Sequence, residues 1–153
     1  MAIVLGKAAP AMAWETLPHG VQVHMRRATS VETSHVERAT GRILSDYLSG
    51  KAELASFHLP EAEEPSAEDD QYIFGLSKFL SSVLLFEMLA DDWKGVLKDD
   101  GRPWPIDRAS VSLLLLSPDQ LQEFERLAYR DVWEIRAEGN GSAVSPIGSG
   151  GAA

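Results

Sequence analysis

Apolar residues recur along the chain with two different periods, and the change of period separates a predicted strand from predicted helices. Val21, Val23 and Met25 alternate with other residues, a pattern typical of a half-buried strand. The apolar run Ile3–Leu5 supplies a candidate partner strand. The pattern therefore predicts a short N-terminal β-hairpin within about residues 3–27, which needs a helix packed on it to be stable.

The spacing of apolar residues becomes helical from residue 31 onward. A first helix is predicted over residues 31–49, with Thr29 or Ser30 as its N-cap and Gly50 at its end. A second helix is predicted from about Asp69 to Ala90, and it is apolar on most sides in its second half. This second helix is expected to form the centre of the core.

Two shorter helices are predicted after a connecting segment that contains Asp-Gly and two prolines. The first covers residues 106–116 and carries four consecutive leucines. The second covers residues 117–137 and begins with Ser117-Pro118, a capping residue followed by a proline at the first helical position.

Two segments have compositions that oppose regular packing. Residues 59–70 contain two prolines and six acidic residues, and are predicted to be an acidic linker. Residues 139–153 are rich in Gly and Ser, and are predicted to be a flexible tail. The expected architecture is a mainly α, single domain over residues 1–138, with the N-terminal hairpin at its margin and a helical core over residues 71–137.

Composition narrows the classes of function. The 153 residues carry 14 Lys+Arg and 23 Asp+Glu, a net charge of −9, which disfavours a nucleic-acid-coating surface. The absence of cysteine excludes disulfides and thiolate chemistry. The most apolar stretch contains Lys78 and Glu87, so a membrane span is not expected, and the cytoplasm is the expected location.

Motifs that carry catalysis or metal binding are not found. The sequence has no nucleophile elbow, no phosphate-binding glycine loop and no zinc-type histidine pair among its four histidines. The pair Arg26-Arg27 is interpreted as a solvated strand end. No catalytic, cofactor-binding or metal-binding residue is therefore predicted, although His24 with Asp91 or Asp92 would supply an acid/base pair if folding joined them.

The tryptophans are the remaining candidates for a functional surface. Trp93 and Trp104 lie in the connecting segment, and Trp133 lies in the last predicted helix. Large aromatic residues dominate the energetics of both cores and protein interfaces. Both interpretations stay open on the sequence, with the core favoured.

One family resemblance is carried by residues of about 72–148. Trp93-Lys94-Gly95-Val96 is followed by Asp100-Gly101-Arg102-Pro103-Trp104-Pro105, a leucine-rich short helix, Ser117-Pro118, an amphipathic helix and a Gly/Ser-rich end beginning Glu138-Gly139-Asn140. This order resembles the tail assembly chaperones of tailed bacteriophages.

The resemblance implies a small helical protein without enzymatic activity, made in the host cytoplasm and absent from the mature particle. Such a chaperone binds the tape-measure protein and keeps it soluble until tail-tube subunits polymerise around it. The expected partners are therefore the tape-measure protein and the tail-tube protein, and a second copy of the chain is a further candidate. Nucleic acid and membranes are not expected as partners.

An apolar groove between helices would suit a tape-measure helix. The candidate partner-binding residues lie in the connecting segment and the last helix: Trp93, Val96, Trp104, Leu121, Phe124 and Trp133. Two alternatives remain. The first is another phage head–tail or host interaction module, and the second is a small Asp/His-dependent enzyme.

Overall fold

The structure, a computed structural model, describes residues 10–51, 54–59 and 70–130. In chain order this part contains two strands, two helices, a third strand and two further helices. They are β1 (Ala13–Thr16), β2 (Gln22–Met25), α1 (Ser30–Leu48), α2 (Asp70–Leu89), β3 (Ala90–Lys94), α3 (Arg108–Leu115) and α4 (Pro118–Ala128). The fold is mainly α with a small antiparallel sheet, as predicted. The run Ile3–Leu5, most of the acidic linker, residues 131–137 of the last predicted helix and the tail 139–153 lie outside the described residues.

Helix α2 is the centre of the core, as its apolar composition predicts. Eight of its residues are buried, and it packs against α1, α3, α4 and β3. Phe86 is fully buried, with its ring centroid 4.8 Å from that of Phe124 in α4 and 5.7 Å from that of Trp93 in β3. The helices and the sheet therefore share one hydrophobic core.

The three strands form one antiparallel sheet in the order β1-β2-β3. A hairpin is present, but its first strand is Ala13–Thr16, which pairs with β2 through Trp14 opposite His24. Val23 and Met25 are buried on the inner face of the sheet, as the alternating pattern predicts. The third strand was not predicted, because Ala-Asp-Asp-Trp-Lys has low strand propensity and forms β3 only by pairing with β2.

Helix α1 starts at a capping box, which confirms Thr29 as the N-cap. The Thr29 side chain accepts a hydrogen bond from the Val31 amide, and the Glu32 carboxylate accepts one from the Thr29 amide at 3.0 Å. Glu32 is 7% exposed and also forms an ion pair with Arg26. After the helix ends, Gly50 has a φ of +72°, the left-handed conformation that a glycine adopts at least cost.

The carboxyl group of Glu32 gives the stability of the fold a dependence on pH. The hydrogen bond from the Thr29 hydroxyl, helped by Arg26 and opposed by burial, lowers the pKa of Glu32 from 4.5 to about 2. A carboxylate with a lowered folded-state pKa stabilises the fold fully above its unfolded pKa. That contribution, about 3 kcal/mol, is lost as the pH falls from about 4.5 towards 2.

Urea unfolding of the wild type and of Glu32→Gln measures this contribution. The difference in free energy of unfolding between the two proteins is expected to be largest near neutral pH and to shrink between about pH 5 and about pH 2. A difference that stays constant over this range would show that the ionised Glu32 does not stabilise the fold.

Gly95 directly follows β3, at a point where its backbone lies close to the backbone of Gly20. Its φ is +87°, and a Cβ added there would lie 3.0 Å from the Gly20 carbonyl oxygen. Gly101 has a similar φ of +81° but no atom within 4 Å of an added Cβ. We expect Gly95→Ala to lower the free energy of unfolding by about 2–3 kcal/mol and Gly101→Ala by about 1 kcal/mol.

Chemical denaturation of the two alanine variants separates the cost of the left-handed backbone from the cost of the close contact with Gly20. The loss shared by both variants measures the left-handed backbone, and the additional loss in Gly95→Ala measures the contact with Gly20. Equal losses would mean that the loop around Gly20 moves away at no cost.

Among the described helices, α2 is one whose length and composition would allow it to cross a membrane, with a mean hydropathy of 1.5. Such values are also typical of the central helix of a folded core. The packing of α2 against three helices and a strand accounts for its apolar character here.

Candidate functional site

An apolar groove lies between the N-terminal half of α2 and the C-terminal end of α3. Its volume is about 370 Å³. The lining residues are mostly apolar: Leu59, Gln71, Tyr72, Gly75, Leu76, Phe79, Leu115 and Leu116. We call this surface the α2–α3 groove.

The α2–α3 groove combines a fixed floor with accessible walls. Leu76, Phe79 and Leu115 are buried and belong to the core, so they hold the floor in place. Tyr72 is 40% exposed and Leu116 is 42% exposed, so both offer apolar surface to a partner. The groove is therefore built on two rigid helices and faces solvent.

Gly75 explains why the groove is open. It lies between Tyr72 and Leu76 on α2, and an added Cβ would have no other atom within 4 Å. A larger residue at this position would occupy space that the glycine leaves empty. Phe74 is adjacent in sequence and 73% exposed, but it does not line the groove, because successive residues of a helix point about 100° apart.

The leucine run of α3 supplies the other wall. Four consecutive residues cover most of the circumference of a helix, so they cannot all face one core. Leu115 is buried and Leu114 is partly buried, whereas Leu113 and Leu116 are more than 40% exposed. A run of four leucines therefore leaves some of them exposed, and these give the end of α3 an accessible apolar surface.

The partner-binding residues predicted from the sequence lie elsewhere. Trp93 is 7% exposed and its indole Nε1 donates to the Trp104 carbonyl at 2.5 Å, while Phe124 is fully buried. Val96, Trp104 and Leu121 are partly buried. Of the five that are described, none lines the α2–α3 groove, and Trp133 lies outside the described residues.

The α2–α3 groove is therefore formed by other elements than the connecting segment and the last helix, and the role of those two segments in partner binding stays a prediction. Trp93 and Phe124 both pack against Phe86 in the core, so contact of their rings with a partner would require the core to open. Their role in this structure is the core role that the sequence favoured for the aromatic residues. Tyr72 and Leu116 instead supply exposed apolar surface to the α2–α3 groove.

The acid/base pair considered from the sequence does form. His24 Nδ1 lies 2.6 Å from Asp91 Oδ1, because β2 and β3 are neighbours in the sheet. Trp14 covers one side of His24, with the ring centroids 5.1 Å apart, and the Lys94 ammonium lies 4.2 Å from the centre of the Trp14 ring. This cluster lies on the outer face of the sheet and does not line the α2–α3 groove.

A second polar cluster contains a serine, a histidine and an aspartate, the residue types of a hydrolytic triad. Their hydrogen bonds do not connect them in the order that a triad needs. His19 Nε2 lies 2.8 Å from Asp119, and the Ser117 hydroxyl donates to the same carboxylate. These hydrogen bonds lower the pKa of Asp119, that from Ser117 most. Because Asp119 stands between them, these bonds do not bring His19 to the serine as the base that a nucleophile needs.

Comparison with known proteins adds no relative. No protein-family model matches the chain, and no curated protein or solved structure gives a significant match. The α2–α3 groove is therefore the feature from which a function is inferred.

Proposed function

We propose that this chain is a tail assembly chaperone that binds an apolar helix of a tape-measure protein in the α2–α3 groove. The observation that carries the proposal is the groove itself, an apolar opening of about 370 Å³ on a chain with a net charge of −9. The sequence resemblance to tail assembly chaperones supplies the identity of the partner.

The shape of the groove favours a helical occupant. It runs between two helices and has a glycine in one wall, and small residues allow a third helix to approach closely. Helix-in-groove recognition places apolar anchors at positions i, i+3 or i+4, and i+7 of the bound helix. The exposed parts of Tyr72 and Leu116 would contact such anchors on either side.

The acidic charge of the chain supports a role in keeping the tape-measure protein soluble. A tape-measure protein is a long helical chain whose apolar stripe aggregates when it is exposed. A partner that covers the stripe and carries a net charge of −9 gives the complex the charge that opposes self-association. This role requires binding without any covalent chemistry.

Co-expression tests the proposal. A tape-measure protein is expected to be encoded by a very long gene near the gene for this chain. The product of that gene is expressed with and without this chain, and the soluble fraction of the long protein is measured. We expect the long protein to be soluble mainly when this chain is present and to co-purify with it. Equal solubility in both cases would overturn the proposal.

The composition of assembled particles distinguishes the chaperone from the main alternative. A head–tail or other structural module would remain in finished particles, whereas a chaperone would be absent from them. The enzyme alternative is favoured by the contact between His24 and Asp91. It ranks below the chaperone because that pair does not line the α2–α3 groove.

A further inference from the structure

A second cavity lies beside β1, at the end of α4, and has a different chemical character. Its volume is about 270 Å³. The lining residues come from three segments that meet there: Ala11, Ala13, Glu15, Met25, Arg26, Arg27, Leu127 and Arg130. We call it the arginine cavity.

The arginine cavity has an apolar floor and room above it. Met25 and Leu127 are each 2% exposed and form part of the core. Ala11, Ala13 and Glu15 alternate along the β1 segment, so their side chains point to the same side of the strand. Because two of these three residues are alanines, the strand leaves space that larger side chains would fill.

The rim of the cavity is positively charged on an acidic protein. Three arginines and one glutamate line it, and Glu32 pairs with Arg26, which gives a local formal charge of 3 − 2 = +1, whereas the whole chain has −9. The sequence alone gave no sign of this, because Arg26 and Arg27 lie more than 100 positions from Arg130. Folding brings them together through the contact of the β2 end with the end of α4, where the Ala28 amide donates to the Ala128 carbonyl at 2.9 Å.

Carboxylates hold two of the guanidinium groups in place. Arg26 pairs with Glu32 and donates to the Arg27 carbonyl at 3.2 Å, and Arg130 donates to Glu15 at 3.2 Å. A guanidinium has five N–H donors in a planar fork, so these bonds orient each group and leave donors available for an anion. Oriented arginines are the typical ligands of carboxylate and phosphate oxygens.

We propose that the arginine cavity binds a small organic anion, with a carboxylate or phosphate head at the guanidinium rim and a compact apolar body against Met25 and Leu127. The volume, slightly below the usual range of roughly 300–1,000 Å³ for ligand pockets, suits a ligand about the size of one substituted ring. This site is separate from the α2–α3 groove, so it does not depend on the proposed chaperone function.

Titration of the full chain with four probes tests the site. Benzoate and phenyl phosphate have both an anionic head and an apolar body, inorganic phosphate has only the head, and benzamide has the body with a neutral head. Binding is measured by calorimetry and by amide chemical shifts. We expect benzoate and phenyl phosphate to bind at least about tenfold more tightly than benzamide, and phenyl phosphate more tightly than inorganic phosphate.

The relative affinities of the two anions identify the head that the site prefers. Tighter binding of phenyl phosphate would indicate a phosphate ester as the ligand, and tighter binding of benzoate would indicate a carboxylic acid. Chemical-shift changes are expected around Ala13, Met25 and Leu127.

Variants locate the binding. Arg27→Gln and Arg130→Gln are each expected to weaken the binding of benzoate about tenfold, whereas Arg42→Gln, an exposed position on α1 that does not line the cavity, should leave it unchanged. Ala13→Leu fills the apolar side from an exposed position and should weaken phenyl phosphate more than inorganic phosphate. It is a second test should an arginine variant fail to fold.

Three results would overturn the proposal: equal affinities for benzoate and benzamide, no binding of either anion at concentrations up to about 10 mM, or the same effect from Arg42→Gln as from Arg130→Gln. In each case Arg26 and Arg130 would serve only as partners of Glu32 and Glu15.

Discussion

Replacing Phe86 by alanine is expected to lower the free energy of unfolding by about 3–5 kcal/mol. Phe86 is fully buried and its ring packs against those of Trp93 and Phe124, so its removal leaves a cavity where α2, α4 and the sheet meet. The loss would be a large part of the roughly 5–15 kcal/mol that stabilises a typical domain.

Phe74→Ala is the matched control for this prediction. It makes the same chemical change on the same helix, at a position that is 73% exposed. The free energy of unfolding is expected to change by less than about 0.5 kcal/mol. Urea denaturation measures both variants, and similar losses in the two would contradict the placement of α2 at the centre of the core.

Gly75→Gln is expected to weaken binding of the proposed partner, a tape-measure helix, at least about tenfold without destabilising this chain. An added Cβ at Gly75 has open space, so the side chain is accommodated and its amide enters the α2–α3 groove. Glutamine also has a higher helix propensity than glycine, which stabilises α2 by about 0.5 kcal/mol.

Gly41→Gln controls for the gain in helix propensity. Gly41 is an exposed position within α1, an added Cβ there also has open space, and the residue does not line the groove. This variant should gain similar stability and keep full binding. Loss of binding in both variants, or in neither, would show that the groove is not where the partner binds.

The elements with strong local signals were predicted from the sequence. The Thr29 cap, Gly50 and the helical spacing between them locate α1 within one residue of its observed bounds. The Ser117-Pro118 pair likewise marks the start of α4, although the Ser117 hydroxyl bonds to Asp119 instead of capping a backbone amide. Capping and periodicity act within one turn, so a sequence records them directly.

The features that depend on tertiary contact were not predicted. Strand β3 contains two aspartates and a lysine, and only its pairing with β2 makes it a strand. The α2–α3 groove depends on the angle at which α3 meets α2 and on the space beside Gly75. The arginine cavity likewise joins Arg26 to Arg130, which no local pattern relates.

The aromatic residues show why candidate interface residues are difficult to choose from one sequence. Trp93 was a candidate because large aromatic residues are common at interfaces, yet its indole donates to the Trp104 carbonyl and its ring packs on Phe86. Burial of the apolar area of an aromatic ring stabilises both a core and an interface. Only exposure separates them, and exposure is a property of the folded chain.

Site-specific photo-crosslinking tests the central claim most directly. The crosslinking residue p-benzoylphenylalanine is placed at Tyr72, which lines the α2–α3 groove, or at Phe74, which is more exposed but does not line it. Each protein is irradiated after co-expression with the tape-measure protein. The account predicts crosslinks to the tape-measure protein from position 72 and few from position 74, whereas equal yields at both positions, or a higher yield at position 74, would contradict it.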